Sequence, residues 1–134
     1  MSRGAEFHPA LDTDRAHAIV RKGFRRSVDS YSGFLENDKN TPTGLHGLIR
    51  SAETSDDSRG TIHVCGLALD YCVWETAKHA AMYLHPQEVS IIEDATRAIG
   101  PFDWAIADQH RVRRIMSSEA VEGRIPAAVL QEAN

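Results

Sequence analysis

The sequence predicts an α/β domain on a parallel sheet, and three observations predict it. Short apolar runs of strand length recur at HAIVRK (17–22), TIHVC (61–65) and VSII (89–92). Stretches with helical apolar spacing lie between and after them, and strands alternating with helices form βαβ units, wound right-handed. The chain has 134 residues, 42% of them hydrophobic and 25% charged, which suits one domain with an ordinary core. No repeat and no second domain is visible, so residues 1–134 are read as one unit.

Each element has its own warrant. Residues 1–16 are irregular, punctuated by Gly4 and Pro9. The strand 17–22 ends at Lys22, just before Gly23. Residues 24–42 are rich in Ser, Asp, Asn and Gly, with isolated Phe24, Tyr31 and Phe34, and read as a long loop of the kind that carries function. Thr43 can cap a helix over 44–53, with Leu45, Leu48 and Ile49 on one face. TSDDSRG (54–60) is a solvated connection to the strand 61–65. A helix over 71–84 lines Val73, Ala77, Ala80, Ala81 and Leu84 along one stripe. The strand 89–92 follows, with Glu93 and Asp94 at its end. A helix over 102–118 and a weak strand near 127–130 complete the chain.

Composition excludes several classes. A net charge of −4 gives no electrostatic grip on nucleic acid, so no nucleic-acid partner is expected. No apolar run nears the roughly 20 residues that cross a bilayer, so no membrane partner is expected. Cys65 and Cys72 have neither a zinc spacing nor a secreted disulfide pattern, and residues 1–16 lack a signal peptide's apolar core; a reducing cytoplasm fits. Seven scattered histidines form neither HxH nor HExxH.

The chemistry concentrates in GLALDYCV (66–73), where a strand runs through a turn into a helix. Asp70 as N-cap places Cys72 in the first helical turn. Unpaired N–H groups and the helix dipole there favour a thiolate over a thiol. The same N–H groups can hold an oxyanion formed when that thiolate attacks a carbonyl. Ligands of parallel sheets bind beyond the C-terminal strand ends, so Lys22 and Cys72 can face one crevice. Cys65, inside an apolar strand, reads instead as a small buried hydrophobe.

GLALDYCV resembles the GxATDYCV signature of nicotinamidases in the isochorismatase-like cysteine hydrolase family. KGFRRSVDSYSGFLENDKNTPTGL (22–45) is similar to the family's lysine segment, GAEFHPAL (4–11) to the stretch before it, and EDATRAI (93–99) to its DAsRg segment. The resemblance implies a three-layer, parallel-sheet fold. It implies Cys72 as nucleophile and Lys22 as the triad lysine. Ala68 and Cys72 would supply the oxyanion-hole N–H groups, with a cis peptide at Leu67–Ala68. Tyr31 would line the pyridine pocket. The implied reaction converts nicotinamide and water to nicotinic acid and ammonia through a thioester, in NAD salvage.

Two departures stand beside it. Leu69 occupies the position where the family usually has Thr. The family's aspartate, in a DxQxDF-like motif, and its DxH motif for a divalent metal (zinc, iron or manganese) precede the matched segments, and neither motif stands ahead of those segments here; the one DxH triplet, Asp108-Gln109-His110, follows them. The resemblance therefore implies an N-terminally truncated domain that lacks its first strands, carries no metal ligands or cofactor, and is impaired as a catalyst. An open strand edge next to 61–65 would favour self-association. Hydrolysis of another small amide, and a non-catalytic remnant or interaction module, are the alternatives.

Overall fold

The computed structural model describes residues 6–52, 60–84, 88–122 and 128–133. Its elements in chain order are β1 (Ala16–Lys22), α1 (Leu45–Ala52), β2 (Thr61–Leu67), α2 (Trp74–Tyr83), β3 (Glu88–Arg97), α3 (Trp104–Gln109), β4 (Val112–Ile115), α4 (Ser117–Glu122) and β5 (Ala128–Ala133). All strand pairing is parallel: β2–β3–β4 form one sheet and β1–β5 another. Residues 4 and 5 of the GAEFHPAL segment, and 54–59 of the connection before β2, lie outside the described residues.

The layers follow from strand alternation. Val89 and Ile91 of β3 and Val112 of β4 point into a core with Val73, Ala77, Ala80 and Leu84 from the α2 side. Ile92 and Ile115, of opposite parity, meet Ala120 of α4 on the other face. Helices thus cover both faces of the sheet, as parallel strands with two buried sides require. Phe34 and Leu45 join the main core, which anchors the long loop and α1 to it.

The stripe expected on the 71–84 helix is borne out, with Val73, Ala77, Ala80 and Leu84 buried. Thr43 caps α1 as expected, its Oγ1 accepting the Leu45 N–H at 3.2 Å. The single helix expected over 102–118 is corrected to α3, β4 and α4. Arg111 takes a positive φ of 60°, which ends helical winding, and VRRI then pairs with Val89–Ile92. Val112 and Ile115 fit a helical stripe by spacing, yet one faces each side of the sheet. β3 also runs longer than 89–92, pairing with β2 again at Gly66↔Thr96 beyond an irregularity.

Candidate active site

The site lies where β1 and β2 end. Gly66 has a φ of 115°, a conformation side chains resist, at the point where the register of β2 against β3 shifts. The Leu67–Ala68 peptide is cis, as the resemblance implies. The chain then makes one wide π-type turn, Leu69–Val73, before α2 begins. Its winding shows in the Ala68 carbonyl, which accepts N–H groups from both Tyr71 and Val73 at 3.1 Å. Cys72 sits half-buried in this turn.

Asp70 is not the cap of this helix. The turn starts at extended Ala68 without a side-chain cap. The wide winding sends the Asp70 carboxylate to the loop after β3, where it accepts the N–H groups of Ile99 at 3.0 Å and Gly100 at 2.8 Å. The Ile99 bond above all holds its carboxyl below the usual range.

Lys22 arrives from the opposite side. It is the last residue of β1 and is buried, 6% exposed. Its Nζ donates to the Ser30 carbonyl at 2.5 Å and reaches Cys72 Sγ at 3.5 Å. A buried ammonium needs such partners, and the sulfur is one of them. Fifty positions of sequence separate the two groups, and the structure brings them into contact.

The 24–42 loop closes over the pair. Tyr31 packs edge-on against Tyr71, with ring centres 5.4 Å apart. The Asp29 carboxylate, then partial burial, push the Tyr31 phenol up. The Ser32 hydroxyl bonds His79 Nδ1 at 2.8 Å and accepts the Phe34 N–H at 3.1 Å. Burial pushes His79 down and outweighs the pull of Glu75, whose carboxylate lies 4.0 Å away. Buried Thr76 accepts the Gly33 N–H at 2.8 Å and donates to the Cys72 carbonyl at 2.6 Å.

Buried Glu36 fixes the start of the loop. Its Oε1 accepts the N–H groups of Gly23 at 3.0 Å and Phe24 at 2.8 Å, directly after Lys22. Sequence reasoning missed Ser30, Glu36 and Thr76. The only available signal was their place in the two segments that carry Lys22 and Cys72.

Cys65 departs from its expected burial. It is exposed, because β2 is the edge strand of its sheet. Packing around its sulfur still pushes the thiol up. Among the described residues no three His, Cys, Asp or Glu side chains converge as metal ligands. No helix among them is long and apolar enough to cross a membrane.

No family profile matches the chain, but known proteins are similar to it. The nicotinamidase of Acinetobacter baylyi is 46% identical over 80 residues, covering 60% of this chain and 35% of the relative. That of Escherichia coli is 35% identical over 98 residues, covering 73% and 43%. Among solved structures, PnC1 of L. infantum in complex with nicotinate aligns with a TM-score of 0.75 and 33% identity, covering 98% of this chain and 60% of that one. A nicotinamidase pyrazinamidase of Acinetobacter baumanii aligns at 0.76 and 36%, covering 89% and 56%. The chain thus spans 35–43% of the length of these two curated relatives. By these similarities of sequence and fold the chain belongs to the isochorismatase-like nicotinamidase family.

Proposed function

We propose that this chain carries the nucleophile, lysine and ring-binding face of an amide hydrolase that converts nicotinamide to nicotinic acid and ammonia. The observation that carries the reading is the buried Lys22 ammonium 3.5 Å from Cys72 Sγ. The Cys72 thiolate attacks the amide carbonyl carbon. Negative charge then moves to the carbonyl oxygen, held by the Ala68 and Cys72 N–H groups and by the field of Lys22. The C–N bond breaks, nitrogen leaves as ammonia once protonated, and water cleaves the thioester to release nicotinic acid and the thiol. Tyr31, edge-on to Tyr71, offers the face for the pyridine ring.

Both proton transfers need an acid–base group. The resemblance gives that role to an aspartate whose motif this sequence does not contain. Among the described residues, the hydrogen-bond partner of Cys72 Sγ is Lys22. Loss of one member of a triad costs on the order of 10³-fold or more, so turnover by this chain alone is expected to be slow.

A cytoplasmic place in NAD salvage belongs to the same reading. Two relatives carry pyrazinamidase in their names, which supports a second small heteroaromatic amide as substrate. Self-association follows from β2, an edge strand with Leu67 75% exposed. The test is ammonia release from nicotinamide and from pyrazinamide, with Cys72→Ala as control. Slow release that disappears in the control is expected. Release that survives in the control would remove Cys72 from the reaction.

A further inference from the structure

Thr76 belongs to no part of the reaction described above, yet its hydroxyl touches both sides of the site. It sits on α2, four residues after Cys72, and is buried, 5% exposed. A hydroxyl has one proton and two lone pairs to place. Here the proton goes to the Cys72 carbonyl at 2.6 Å, and a lone pair takes the Gly33 N–H at 2.8 Å. The first bond is an ordinary back-bond within one helical turn. The second is not local, since forty-three positions separate Gly33 from Thr76.

The consequence is a closed circuit around the nucleophile. From the Cys72 carbonyl it passes through the Thr76 hydroxyl to Gly33, then three residues back along the loop to Ser30. The Ser30 carbonyl holds the Lys22 ammonium at 2.5 Å, and that ammonium returns to Cys72 Sγ at 3.5 Å. Tyr31 lies on the same short stretch, between Ser30 and Gly33, against Tyr71. We propose that Thr76 is a positioning residue: its hydroxyl sets the 30–33 stretch against the nucleophile's turn, and so fixes where Lys22 and Tyr31 stand relative to Cys72. The proposal rests on reading Cys72 as the nucleophile and Lys22 as its partner.

The other anchors of the loop do not duplicate this bond. Thr43 Oγ1 donates to the Gly33 carbonyl at 2.5 Å and ties the loop to the start of α1, not to Cys72. Ser32 meets His79 one turn further along α2. These contacts, with buried Phe34, hold the loop on the domain if the Thr76 hydroxyl is removed. Positioning and folding are therefore separable at this residue.

The experiment replaces Thr76 by Val, which keeps the shape and deletes the hydroxyl, and by Ser, which keeps the hydroxyl. Both are made in a Cys65→Ser chain, so that Cys72 is the one remaining cysteine. The readout is the rate of Cys72 alkylation by iodoacetamide from pH 5 to 10, which follows the thiolate and requires no turnover. Thr76→Val is expected to displace the rate–pH profile to higher pH and slow labelling near neutrality about tenfold, while Thr76→Ser stays within about twofold of the parent. A Thr76→Val profile that superimposes on the parent overturns the proposal, as does an equal displacement in Thr76→Ser. Lys22→Met, measured alongside, separates the two levels. If it leaves alkylation unchanged, the lysine does not act on the thiol, and the underlying reading falls together with the bridge. Should Thr76→Val not fold, hydrogen exchange of the Gly33 amide in the Thr76→Ser and parent chains decides. Comparable protection in both is expected, and an unprotected Gly33 amide overturns the bridge.

Discussion

Glu36→Ala tests how the loop behind Lys22 is held. Glu36 is 1% exposed, and its Oε1 accepts two N–H groups, from Gly23 and Phe24. Hydrogen bonds to a carboxylate contribute about 1.5–3 kcal/mol each, so truncation removes roughly 3–6 kcal/mol. Against this, Oε2 is buried without a hydrogen-bond partner among the described residues, and deleting it recovers about 1–3 kcal/mol of desolvation. The net loss is about 2 kcal/mol, or about 8 °C in Tm for a domain of this size. Glu36→Gln keeps the Oε1 acceptor, loses the charge assistance, and should fall by about 1 kcal/mol. The loop's own frame, Leu35 bridged to Pro42 and the Glu36 N–H on the Thr41 carbonyl, does not need the carboxylate and should survive both changes. Urea denaturation with a shared m-value measures the difference. A Glu36→Ala chain within about 0.5 kcal/mol of the parent would refute the reasoning.

Other outcomes follow from the same coordinates. Lys22→Met should slow Cys72 alkylation by iodoacetamide several-fold, and an unchanged rate would mean that the 3.5 Å contact does not act on the sulfur. Ile91→Ala, at a fully buried position on β3, should cost about 3–4 kcal/mol in urea denaturation. Gly66→Ala has open space for its methyl group, so any loss, expected near 1–2 kcal/mol, comes from the φ of 115° alone. His79 gives a pH dependence. Burial lowers its folded-state pKa, so the unfolded chain binds more protons once pH falls below the ordinary value of about 6.5. Its contribution is then full above that value and declines as pH drops through it. In His79→Gln, urea denaturation should show a smaller loss of stability from pH 7.5 to 5.5 than in the parent.

The sequence revealed the elements that periodicity encodes. TIHVC and the Val73–Leu84 stripe declare themselves because one face of each is apolar, and VSII because it is apolar toward both faces of the sheet. The 102–118 stretch misled because Val112 and Ile115 stand three apart, a spacing that fits one helical face as well as two faces of a strand. The event that decides between them, a positive φ at Arg111, has no marker in the sequence. Asp70 was a sound cap by residue type, but its real partners, Ile99 and Gly100, come from a loop about thirty residues on. Cys72 and Lys22 were legible from their segments. Glu36 was not, because a charged residue in a polar loop gives no sign that folding will bury it.

The strand pairing has a consequence for the order in which the site forms. β2, β3 and β4 draw on residues 61–115, and their pairings are local enough to close soon after they leave the ribosome. β1 pairs with β5, Ala16 with Ala128 and Lys22 with Ala133. The strand that carries the lysine is synthesised before β2, β3 and β4, and its partner after them. Between those two events the turn that bears Cys72 can be in place while its cation waits without a ladder. Contact order therefore makes the nucleophile's environment a later product of folding than the β2–β3–β4 sheet, completed when β5 arrives.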